Sequence, residues 1–268
     1  MSQIRPSSFS IEDLELLKEA KERIVKMSLA ARISSFVGTP VEALMDNLPE
    51  KWSDKIMTAT TTALTKAADV AIFTMKEKET SKSKDFLHKI GVAVTGGVSG
   101  AFGLAALLVE LPISTTLMVR SIADIARSEG EKLSEVETRL ACMEVFALGG
   151  PGMGDDGSES GYFAVRTSLN TAMTQLAKNI AEQGIKGSGA PLVVKFISNI
   201  AERFSIVITE KAAAQAVPIV GAIGGAAVNT LFISHFQDIA RGHFSIRRLE
   251  RKYGKELVRE VYDTIIIE

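Results

Sequence analysis

The sequence predicts an all-α multi-helix bundle containing two Gly-rich apolar helical hairpins. Three observations carry this. Hydrophobic residues make up 46% of the chain and aromatic residues only 6%, so the apolar content is small and aliphatic, suited to close helix packing. Apolar residues recur at helical spacing from the first element onward. Regular two-residue alternation bounded by Asn-Gly or Asp-Gly, the mark of strands and hairpins, is scarce.

The first helix is read from Leu14, Leu17, Ala20, Ile24 and Met27, which share one face, with Ser10 and Asp13 as its start signal. Gly38 and Pro40 are expected to end that element. Residues 41–75 carry two further helical patterns, interrupted near 49–53. Residues 76–89 hold five Lys against three acidic side chains and read as an exposed connection, so the chain divides into N-terminal amphipathic helices (1–80) and a larger helical region (81–268). Residues 149–161 contain six Gly and one Pro, which predicts a loop, and residues 184–191 form a shorter break.

Two uncharged stretches stand out. Residues 91–109 run 19 residues without a charge, and residues 212–234 run 23. Either meets the rough length of about 18 to 20 residues needed to cross a bilayer as a helix, but both are rich in Ala and Gly, which weakens their transfer energy. Gly96 with Gly100, and Gly221 with Gly225, have the four-residue spacing that lets helix backbones approach closely. A buried hairpin and membrane insertion both fit. A weak echo, Asp124-Ile125-Ala126-Arg127 and Asp238-Ile239-Ala240-Arg241, follows the two stretches.

Charge and motifs exclude several function classes. With 31 basic and 32 acidic side chains there is no electrostatic case for a nucleic-acid partner. The single cysteine, Cys142, excludes an intrachain disulfide and is expected in the core. The opening residues have no apolar run of the export-signal kind, so the cytoplasm is the expected compartment. Residues 152–157 formally satisfy G-x-G-x-x-G, but no strand precedes them and Asp155 and Asp156 would repel a pyrophosphate. The P-loop, the serine-esterase elbow and the EF-hand loop are all missing from the sequence.

The remaining candidates are polar groups bordering apolar helices: Glu110, Arg120, Asp124, His235, Asp238 and His243. Carboxylates and imidazoles there suit a structural polar cluster, a proton relay, or a metal-dependent hydrolase using His235, Asp238 and His243. No H-E-x-x-H accompanies them, no metal ligand set is assigned, and no cofactor is implied. Pro112, two residues after Glu110, is expected to kink or restart its helix. Beyond Arg241, six basic residues including Arg247, Arg248 and Arg251 suit either anionic lipid headgroups or an ordinary solvated helix.

The chain resembles the EcsC family of bacterial proteins. The resemblance rests on Glu110-Leu111-Pro112, Arg120, Gly130-Glu131, Phe146-Ala147-Leu148-Gly149, Tyr162 and Arg166, then Glu210-Lys211, Pro218-Ile219-Val220-Gly221-Ala222, His235-Phe236-Gln237-Asp238, His243-Phe244 and Arg247-Arg248-Leu249-Glu250-Arg251. It covers roughly residues 89–254 and leaves the first 75 aside. It implies a helical protein without a settled biochemical role, linked to membrane transport, some of whose relatives are labelled peptidases, and it supplies no catalytic residue. The function expected is a membrane-associated accessory or binding factor, cytoplasmic and either peripheral to or inserted at the inner membrane. Its expected partners are a membrane surface, a membrane protein or a second copy of the chain.

Overall fold

The structure, a computed structural model, describes residues 9–25, 28–46, 48–49, 51–75, 103–150, 161–184, 190–216 and 225–267. The described residues form helices α1 (Ile11–Val25), α2 (Leu29–Val37), α3 (Val41–Met45) and α4 (Trp52–Ala68), followed by a π-helical turn (Asp69–Thr74). Then come α5 (Gly103–Ser128), α6 (Val136–Leu148), α7 (Gly161–Gln183), α8 (Pro191–Gln215), α9 (Gly225–Tyr253) and α10 (Lys255–Thr264). No strand occurs among them. The all-α expectation holds, whereas the two Gly-rich hairpins, with Gly96, Gly100 and Gly221, fall outside the described residues. So do residues 76–89, the expected division near residue 80 and the formal glycine motif at 152–157.

Local chemistry explains most helix ends. Ser10 Oγ accepts the Asp13 N–H at 3.1 Å, as its spacing predicts. The element expected to run on to Gly38 is instead two helices. Ser28 caps the second by accepting the Ala31 N–H at 3.2 Å, and Gly38 closes it in the left-handed conformation. Pro112 does not end α5, which continues to Ser128. Gly242 lies inside α9, which continues to Tyr253, although a glycine there would by itself suggest a helix end.

The core centres on α6, whose residues 140–148 are all buried, so it lacks a polar face. It packs against α5, α7, α8 and α9. Phe146, Phe204, Phe232 and Phe236 join α6, α8 and α9 in a ring cluster with centroids 5.0 to 6.1 Å apart. Cys142 lies in this core, where burial pushes its thiol up to about 12, far from a nucleophile's range.

Two glycines permit the closest approaches. A Cβ on Gly149 would lie 2.3 Å from the Phe236 ring, and one on Gly242 would lie 2.7 Å from the Ala20 carbonyl oxygen. Gly242 therefore lets α1 lie directly on the backbone of α9. Lys21 reaches from α1 to the carbonyls of Tyr262 and Ile265, both at 2.8 Å, and Phe9 stacks on Tyr253.

Candidate functional site

Helix α9 is the polar spine of the molecule. Along its length Asn229, His235, His243 and Glu250 are buried, and they meet Lys211 of α8, the Gly149 carbonyl at the end of α6, and Tyr162 and Arg166 of α7. Burial of a polar group costs free energy unless a partner replaces water, so these contacts fix how the helices assemble.

The predicted site residues are divided between α9, which carries His235, Asp238 and His243, and α5, which carries Glu110, Arg120 and Asp124. The His235 Nε2–H donates to the Gly149 carbonyl at 2.8 Å, and burial drives its pKa down to about 4, keeping the ring neutral. Asp238 accepts from Arg32 at 3.0 Å and from Arg241 at 3.2 Å. His243 turns to Tyr162, whose hydroxyl lies 2.9 Å from Nδ1. Asp124 pairs with Arg127 one turn on. Arg120 is exposed on α5. His235, Asp238 and His243 thus face three sets of partners, and among the described residues no group of three His, Cys, Asp or Glu is arranged to hold a metal ion.

Glu110 makes a junction. Its Oε1 accepts from Lys211 Nζ at 2.7 Å, and Lys211 also donates to Asn229 Oδ1 at 2.9 Å. The ammonium lies 4.5 Å from the centroid of the Phe232 ring and is fully buried. Three helices meet here: α5 just after the first uncharged stretch, α8 just before the second, and α9 within it. At the same end Val109 is 71% exposed and Ile113 58% exposed, one turn apart on α5. Beside them a hollow of about 320 Å³ separates Pro112 from Thr58, Ala59 and Thr62 of α4.

At the other end of α9, about 30 Å away by the helical rise per residue, lies a cleft of about 260 Å³ between α6, α7, α9 and α10. Arg166 forks onto Glu250 at 2.6 and 2.9 Å, and Arg247 forks onto Glu131 at 2.8 and 3.2 Å. Glu144, the least exposed residue lining the cleft, points its Oε2 to within 3.6 Å of His243 Nε2. That gap is too long for a hydrogen bond, and Nε2 is buried without one. Burial raises the Glu144 pKa against the pull of Arg166 and Arg247, and burial followed by the same two cations depresses that of His243.

The family model of the EcsC protein family matches residues 12–249. The chain belongs to the EcsC family. The match begins inside α1, so it takes in the N-terminal helices that the motif resemblance left aside. No curated protein and no solved structure matches the chain.

The residues that carry the EcsC resemblance are largely those that make these contacts: Glu110 with Lys211, Gly149 with His235, Tyr162 with His243, and Arg166 with Glu250. Sequence reasoning missed Glu144. It sits in the part of α6 from Leu140 to Leu148, which is buried on every side and otherwise apolar, so periodicity gave no hint of a functional face. The basic run beyond Arg241 is largely committed within the EcsC fold. Arg247 and Arg251 bind Glu131, Arg248 binds Glu129, and Lys252 binds Asp13.

Proposed function

We propose that this EcsC-family chain is a peripheral membrane accessory factor that docks on lipid through the end of the bundle where α5, α8 and α9 meet. The observation that carries this is the Glu110–Lys211–Asn229 junction, which gathers the borders of both uncharged stretches at one place. A buried ammonium bonded across three helices anchors the base of that end. Val109 and Ile113 supply exposed apolar surface beside it. Among the described residues no helix is long and apolar enough to cross a membrane. The acid-paired cations near the C-terminus leave lipid contact to apolar burial more than to charge.

The test is flotation of the full chain with vesicles of phosphatidylcholine alone and of phosphatidylcholine with phosphatidylglycerol. Docking by apolar burial predicts binding to both that survives high salt, and loss of binding in Val109→Asp/Ile113→Asp. Wild-type protein that stays at the bottom of the gradient with both compositions defeats the reading.

A further inference from the structure

The cleft between α6, α7, α9 and α10 lies at the far end of α9 from the proposed lipid-docking surface, and its chemistry is different. We propose that it is a binding site for a small organic anion, a carboxylate or a phosphate monoester carrying a compact apolar group.

Four cationic side chains line the cleft: Arg166, Arg247, Lys255 and Arg259. The first two are held rigid by their forks onto Glu250 and Glu131, each fork using two of five N–H groups. Lys255 makes no ion pair among the described residues, and Arg259 only grazes Asp263 at 4.0 Å on the exposed side of α10. These two cations stand one turn apart at the mouth. The lining carboxylates are Glu144, Glu250 and Glu256; Glu250 is consumed by Arg166, and Glu144 lies where burial favours its neutral form.

Glu144 gives the site its direction. Its side chain is 3% exposed, it lines the cleft, and among the described residues it makes no hydrogen bond. The neighbouring His243 Nε2 is buried without a hydrogen-bond partner, so the inner end of the cleft holds an unmet polar atom beside the Glu144 carboxyl. In its neutral form Glu144 is a donor, and an anion's oxygen is the acceptor that would satisfy it while lying among the cations. Phe163 and Met173 supply an apolar wall. The Phe163 ring is already fixed between two guanidiniums, with Arg166 at 5.7 Å and Arg259 at 5.5 Å from its centroid. The small volume limits the occupant to a compact molecule.

The test is calorimetric titration of the full chain with phenyl phosphate, benzoate and, as the cationic counterpart, benzylamine. The site predicts saturable one-to-one binding of at least one of the two anions and none of benzylamine; the tighter anion identifies the acid group. Lys255→Glu/Arg259→Glu changes only exposed residues, and it lowers the affinity about tenfold or more through loss of charge-assisted hydrogen bonds, while the protein stays folded. Glu144→Gln, which stays a neutral donor, retains binding, and Glu144→Leu loses it. Absence of saturation by both anions, or equal affinity in the Lys255→Glu/Arg259→Glu protein, overturns the assignment.

Discussion

His243 and Glu144 face one another across 3.6 Å with both side chains out of water, and the hydroxyl of Tyr162 closes the far side of the imidazole at 2.9 Å. An acid, a base and a phenol are thereby aligned through the core of the bundle, where each carries a consequence for stability as well as for ligand binding.

Stability falls on the acid side of neutrality. The native pKa of His235 lies near 4 because the ring is buried, while the unfolded chain takes up that proton near 6.5. Between these values the unfolded state binds more protons, so the stability contributed by His235 is complete above 6.5 and declines as the pH falls toward 4, by about 1.4 kcal/mol per pH unit. His243, depressed by the same cause, adds to the decline. Urea unfolding of His235→Gln between pH 7 and 4.5 is expected to show a shallower slope than wild type by that amount; equal slopes would contradict it.

Glu210 has the opposite sign. Buried on α8 near Glu42, its carboxyl is raised from 4.5 to about 7, chiefly by burial and then by the Glu42 charge, against a smaller opposing pull from the Ala30 backbone. The native state then holds the proton that the unfolded chain has released, and stability is lost as the pH rises through 4.5 to 7. Glu210→Gln carries no such proton. The stability of the variant relative to wild type is expected to grow by about 1.4 kcal/mol per pH unit across that window and to level off above it. A pH-independent difference in chemical denaturation would refute this.

Lys211→Met leaves the Glu110 carboxylate and the Asn229 amide without their shared donor. Loss of one partner of a buried pair costs about 3 kcal/mol or more, whereas Glu110→Leu/Lys211→Met removes both charges and recovers most of that loss. A double-mutant cycle by denaturant unfolding measures the coupling. Additive losses would show that the two residues do not act together.

Gly242→Ala sets two effects against each other. Helix propensity alone predicts a gain of about 1 kcal/mol. The added methyl would meet the Ala20 carbonyl oxygen at 2.7 Å and Ile24 Cγ1 at 2.8 Å, and a backbone oxygen cannot swing aside. Overpacking of this kind costs about 1–3 kcal/mol, so the net effect is expected to be destabilising, with earlier proteolysis in α1 than in wild type. A higher melting midpoint would show that α1 does not rest on Gly242.

Much of this architecture was legible in the sequence because it follows from local rules. Ser10 with Asp13 announced the start of α1, Gly184 and Pro191 marked the turn from α7 to α8, and the buried faces of α1 and α4 follow helical periodicity. What was not legible depended on tertiary contact. Gly242 reads as a helix terminator until Ala20 is seen against it, and Ser28 reads as part of one long helix until its hydroxyl is seen to cap α2. The candidate site divided in the same way. His243 and Glu110 were visible as polar residues on apolar helices, but their partners Tyr162, Glu144 and Lys211 come from segments far away in the chain, which spacing cannot bring together. His235, Asp238 and His243 were read together from their spacing, whereas the partners each one bonds, Gly149, Arg32 with Arg241, and Tyr162, are set by the surrounding bundle.

The seat of α1 also sets the order of events during synthesis. Its side chains bind residues more than two hundred positions later: Asp13 meets Lys252 and Tyr253, and Lys21 meets the carbonyls of Tyr262 and Ile265. During synthesis α1 emerges long before α9 and α10, the helices it packs on, and its seat forms only after they do. Docking of α1 is therefore a late event, and until α9 and α10 are in place the apolar stripe of Leu17, Ala20 and Ile24 lacks its cover.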